Sequence, residues 1–146
     1  MKHLAALVLI SAFLVACTPQ EVVAERPQLL VTPHSSASTT WMLALTRGKI
    51  VTKNGCVALR VSQGQTYSLV FPPAYTLRLV DGTWQVVDSL GGVVGSMGDY
   101  LEVSGGESKT VPSGVSPQCS APYWVVTPKN RIELVPPGKR ASLSPG

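Results

Sequence analysis

The stretch Thr76-Leu77-Arg78-Leu79-Val80-Asp81-Gly82-Thr83-Trp84-Gln85-Val86-Val87 constrains the fold of this 146-residue chain more than any other. Two short alternating runs flank Asp81-Gly82, and Asp-Gly is a preferred pair for the type I′ turn, whose central residues both need positive φ. A two-residue loop also sets the register. Val80 then faces Thr83, Leu79 faces Trp84, Arg78 faces Gln85 and Leu77 faces Val86. Side chains alternate along a strand, so Leu77, Leu79, Trp84 and Val86 share one face while Arg78 and Gln85 share the other. Turn chemistry and binary pattern agree on a hairpin.

Similar signals recur along residues 41–127. Val57, Leu59 and Val61 alternate with Ala58 and Arg60, Ser62 to Gln65 makes a turn, and Tyr67, Leu69 and Phe71 continue the apolar face. Pro72-Pro73 ends that strand by removing two ladder donors. Trp41 to Leu45 and Lys49 to Thr52 read as an earlier pair of strands. Gly91-Gly92 precedes Val93-Val94, Gly98-Asp99 precedes Tyr100 to Val103, and Tyr123 to Val126 closes the set. No window carries an apolar stripe of 3.6-residue period, and 13 Gly with 12 Pro suit frequent turns. Seven to eight short strands are expected, giving an all-β domain: a small antiparallel barrel, OB-like, or a sandwich. With 14% charged residues and a formal charge of +4, a long coiled coil and a strongly basic nucleic-acid binder are excluded. The 45% hydrophobic content suffices for one modest core.

The N-terminus carries an address. Lys2 and His3 precede Leu4 to Val15, which is apolar except for Ser11. As a helix this run reaches about 18 Å, short of the roughly 30 Å hydrocarbon core, so it reads as a signal peptide over residues 1–16. It ends Leu14-Val15-Ala16-Cys17, which resembles the lipobox of bacterial lipoproteins. The resemblance implies cleavage before Cys17, lipidation of its sulfur and a stable membrane anchor. Thr18 after the cysteine implies the outer membrane in a two-membrane cell, and otherwise the outer face of the cell membrane. Residues 17–40 then form the lipidated N-terminus and a flexible tether, marked by Pro19, Pro27, Pro33 and the polar run Ser35 to Thr40. Within it, Leu29-Leu30-Val31 is a candidate extra strand. Residues 128–146 read as a basic tail, with Lys129, Arg131, Lys139 and Arg140 against Glu133; Ile132, Leu134 and Val135 are candidates for an edge strand. Positive charge is thus expected in the tail rather than in a nearly neutral domain.

Chemistry is harder to find. His3 leaves with the signal and His34 sits in the tether, so neither a Ser-His-Asp site nor a zinc centre is expected, and no metal or other cofactor. Asp81 and Asp99 belong to turns, Asp88 ends a strand, and Glu102 alternates toward water. Glu107 completes the carboxylates open to catalysis. The glycines Gly91-Gly92, Gly95, Gly98 and Gly105-Gly106 lack the following Lys-Ser or Lys-Thr of a phosphate loop and read as turns and bulges. Tyr67, Phe71 and Trp84 fall on apolar faces, so core is favoured over a nucleic-acid face, and no nucleic-acid partner is expected. Pro72, Pro73 and Tyr75, joined by Tyr123 and Trp124, are the candidate contact surface.

The pattern from Gly55-Cys56 through Phe71-Pro72-Pro73 to Pro117 and Trp124 resembles small bacterial lipoproteins of unassigned role, which supplies no catalytic residue. If Cys17 carries lipid, Cys56 and Cys119 remain, an even number in an exported chain, and a disulfide between them is expected. The combined expectation is a lipid-anchored cell-envelope protein with a binding or scaffolding β-domain. Its partners would be the membrane, through the lipid, and an envelope protein or polymer. The alternative is a small envelope enzyme using Asp/Glu carboxylates on cell-wall polymers.

Overall fold

The computed structural model describes residues 25–33, 44–113, 115, 118–127 and 133–134. The signal segment, Cys17, His34, Trp41, Pro117 and most of the basic tail lie outside these residues. The strands are β1 (Leu30–Val31), β2 (Ala44–Lys53), β3 (Cys56–Val61), β4 (Thr66–Phe71), β5 (Thr76–Val80), β6 (Thr83–Val87), β7 (Val93–Ser96), β8 (Tyr100–Ser108), β9 (Tyr123–Val126) and β10 (Glu133–Leu134).

β2, β3, β4, β9 and β8 pair in that order, and β8 returns to β2. The result is a closed five-stranded barrel with OB-like Greek-key connectivity, and closure removes the exposed sheet edges that invite aggregation. The expectation of an antiparallel barrel is refined at one seam, because β4 and β9 run parallel, with Leu69 opposite Trp124. Parallel neighbours need a long crossover, and here β5 to β8 lie between them in sequence.

The hairpin forms as its residues dictate. All four expected pairs occur, Thr76 opposite Val87 extends them, and Asp81 and Gly82 take φ of 48° and 73°. Nothing lies within 4 Å of a side chain added at Gly82, so its glycine answers to backbone conformation alone. Gly82→Ala is therefore expected to cost about 1 kcal/mol, read as a lower urea midpoint at unchanged slope. β7 adds to β6, making a three-stranded meander between β4 and β8. Its Val86 and Val94 join Ile50, Val57, Leu59, Leu69, Phe71, Leu101, Val103, Trp124 and Val126 in the main core. Trp84 is half-buried, and Leu79 stays 41% exposed although it shares the apolar face with Leu77 and Val86.

Several expectations are corrected. Leu45 and Lys49–Thr52 lie on one strand rather than two, since β2 runs unbroken through Arg47-Gly48. A Cβ at Gly48 would stand 2.5 Å from the Arg60 carbonyl oxygen, so glycine there serves close strand approach rather than a turn. Gly105-Gly106 lie inside β8 and Gly95 inside β7, not in turns. Residues 28–31, inside the expected tether, pair with the barrel. Leu30 is buried, β1 pairs parallel with β4, and Gln28 bonds the backbone at Gly55 and Val57. Residues 26–32 thereby fill the gap where β3 and β4 diverge, and the expected extra strand is real. β10 lies against β8, with Leu134 opposite Leu101, as the edge strand expected of the tail.

Candidate functional site

The outer wall of the barrel has a covered half and an open half. The connection from β8 to β9 folds over β4 and β9, where Leu30, Cys56, Val70, Val115, Cys119 and Tyr123 form a second apolar cluster. A Cys56–Cys119 disulfide pins it, with Cα atoms 5.9 Å apart. The Ser68 hydroxyl donates to the Ser120 carbonyl at 2.6 Å, and the Tyr123 hydroxyl donates to the Cys119 carbonyl at 2.6 Å. This half of the wall is closed to a ligand.

The candidate contact surface is corrected accordingly. Tyr123 and Trp124 are 5% and 6% exposed: one belongs to the outer cluster, the other to the barrel core. Pro72 is buried as well, so it does not stand on a projecting loop tip. Pro73 is half-buried. Tyr75 stacks on Phe71 with ring centroids 5.4 Å apart, and burial, aided by the Asp88 charge, pushes its phenol pKa up. Of this set, Tyr75 lines a groove of about 400 Å³ with Arg26, Gln28, Leu29 and Leu77, beside the Arg26 guanidinium lying 5.9 Å from the Trp84 ring centre.

The open half comprises β2, the Arg60 end of β3 and the first part of β8. In β2, Gly48 and Ile50 point into the barrel, so Arg47 and Lys49 point out, and both are exposed. Register carries one row of outward positions across four strands. Tyr100 on β8 stands opposite Lys49, Lys49 opposite Arg60 on β3, and Arg60 opposite Thr66 on β4. In the adjoining row Arg47 faces Glu102 and forms an ion pair with it. Arg47, Lys49, Arg60 and Tyr100, with Gly48, Val61, Ser62 and Gly64, line a groove of about 460 Å³. That volume lies in the range typical of small-ligand sites.

Composition hid this arrangement, since the domain's charges nearly cancel. Four of the domain's six cations, Arg47, Lys49, Lys53 and Arg60, lie on the neighbouring strands β2 and β3, whereas Asp81, Asp88 and Asp99 sit at the turns of the meander and its exit. The readable signal was the alternation of Leu45, Arg47 and Lys49 with Thr46, Gly48 and Ile50, which dividing β2 at Gly48 erased.

The carboxylates weighed as catalysts have structural duties. Asp81 occupies the hairpin turn at positive φ, and Asp88 accepts the backbone N–H groups of Leu90 and Gly92, each at 2.8 Å. Asp99 accepts the Ser96 N–H at 2.8 Å, and Glu102 holds Arg47. Glu107 accepts the Tyr67 hydroxyl at 3.2 Å; desolvation, and then this bond, raises the Tyr67 pKa. Tyr67 packs edge-on against Trp124, with centroids 5.6 Å apart. No protein-family model, curated protein or solved structure matches the chain.

Proposed function

We propose that the chain is a lipid-anchored cell-envelope protein whose barrel is a binding or scaffolding module. The observation that carries the binding role is the open β2–β3–β8 wall, where cations and Tyr100 surround a groove while the opposite wall is covered by its own connection. Anchoring rests on the order of basic start, short apolar run and Leu14-Val15-Ala16-Cys17. A cystine between Cys56 and Cys119 suits the oxidising compartments outside the cytoplasm. Thr18 favours the outer membrane where the cell has two. A carboxylate enzyme is the weaker reading, because Asp81, Asp88, Asp99, Glu102 and Glu107 each maintain a turn or a side-chain contact.

The test is Cys17→Ser. The variant is expected to lose acyl labelling and to leave the membrane fraction, since the lipid is the proposed anchor. Persistent acyl labelling of the variant would remove the anchor from this reading. A photo-crosslinker at Ser62, exposed on the groove rim, is expected to capture an envelope component, whereas the same group at Arg78 on the meander is not.

A further inference from the structure

We infer that the β2–β3–β8 wall binds an acidic glycan, a sugar polymer bearing carboxylate or phosphate groups, whose acid sits between Lys49 and Arg60. This names the ligand class for the binding role proposed above and rests on it.

Lys49 and Arg60 are directly opposed on neighbouring antiparallel strands. Like charges at directly opposed positions destabilise the pair unless an anion lies between them. In the adjoining row Glu102 holds Arg47, yet among the described residues no carboxylate forms an ion pair with Lys49 or Arg60. Among the described residues the fold thus keeps two cations side by side without a carboxylate partner on the lining of a concave surface, and an acid entering the groove turns that repulsion into attraction. Both side chains donate hydrogen bonds and accept none, which selects an acceptor-only group such as a carboxylate or phosphate.

The remaining groove favours a sugar over other carriers of that acid. Tyr100 brings an aromatic ring and Ser62 a hydroxyl, partners for a sugar ring and its hydroxyl groups. Gly64, which bears no side chain, keeps the rim of the groove low. A recess of about 460 Å³ admits one or two sugar units, whereas a flat bilayer surface meets its rim first. Single-stranded nucleic acid stacks successive bases on several aromatic side chains, and Tyr100 alone lines this groove.

The full chain in neutral detergent, titrated with oligogalacturonate and with phosphorylated dextran, is expected to bind at least one saturably, and more weakly as salt rises. Lys49→Gln and Arg60→Gln are each expected to weaken binding roughly tenfold, equivalent to about 1.4 kcal/mol. Arg78→Gln removes the same charge from β5 and is expected to leave affinity unchanged. The melting temperature of Lys49→Gln should equal or exceed that of the parent, because the substitution relieves repulsion; this separates lost binding from lost folding. Binding to neither polymer, or equal binding of unmodified dextran, would overturn the glycan. So would displacement of the polymer by phosphatidylglycerol vesicles but not phosphatidylcholine vesicles, or tighter binding of a single-stranded oligonucleotide. A chain that is acyl-labelled at Cys17 and captures an envelope protein at Ser62, yet ignores both polymers, would refute the glycan and leave the binding module standing.

Discussion

Breaking the Cys56–Cys119 bond is expected to lower the stability of the barrel by about 4 kcal/mol, because the cystine closes a loop with a sequence separation of 63. Without it, the unfolded chain regains the freedom that the bond removes. The folded state also loosens its hold on the β8–β9 connection, where Cys119, Val115 and Tyr123 cover Val70 and Leu30. That loss is a large fraction of the roughly 5 to 15 kcal/mol that stabilises an ordinary domain. Thermal unfolding with and without reductant reads it, with Cys56→Ala/Cys119→Ala as the genetic counterpart. Thiol counting on unfolded, unreduced mature protein provides the independent check. Two titratable thiols there would refute the bond, whereas none, with a large drop in melting temperature on reduction, would support it.

Gly105→Ala is expected to cost about 3 kcal/mol, at the upper end for overpacking. A Cβ on Gly105 would stand 2.1 Å from the Val125 carbonyl oxygen and 2.8 Å from the Trp124 indole nitrogen. The first of these is backbone of β9, held by pairing of Gly105 with Val126 and of Gly106 with Val125. To admit the methyl group, β8 and β9 must separate and the barrel must open at that seam. Gly95→Ala provides the contrast. Its closest neighbour is the Leu101 Cδ2 at 2.8 Å, the end of a side chain that can turn aside, so a cost below about 1.5 kcal/mol is expected. Urea unfolding of the two variants decides the matter, and equal losses would mean that the seam is not the constraint.

Those glycines also mark where sequence reasoning reached its limit. Gly82 was legible because its reason is local: the Asp81-Gly82 pair, two residues long, determines its own φ values and the register of its flanks. Gly48 and Gly105 carry the same letter for a different reason, the approach of a strand remote in sequence. Local pattern cannot separate these cases, so β2 was divided at Gly48 and β8 shortened before Gly105. Dividing β2 cost more than an element boundary. It broke the alternation that places Arg47 and Lys49 on one face, and with it the cationic wall.

Aromatic residues divide in the same way. Phe71 and Tyr67 were placed toward the core by their period-2 positions within one strand, and both pack there. Tyr123 and Trp124 are adjacent, so they face opposite sides of β9, and a strand normally buries only one face. Both are buried here because the connection before β9 folds back over its outer side and the disulfide holds it.

By itself the sequence determined the all-β class, the β5–β6 hairpin to the residue, the cysteine pair, the turns at Asp81 and Asp99 and the strand end at Asp88, because each depends on short-range chemistry or on parity. Only the tertiary structure decided that five strands close with β4 parallel to β9, that residues 26–32 and 133–134 complete the wall, and that half of the wall is covered. It also brought Tyr100, Lys49, Arg60 and Thr66 into one row. Those outcomes are sums of contacts between strands distant in the chain, where the free energy lies in burial and register and no single segment carries the signal.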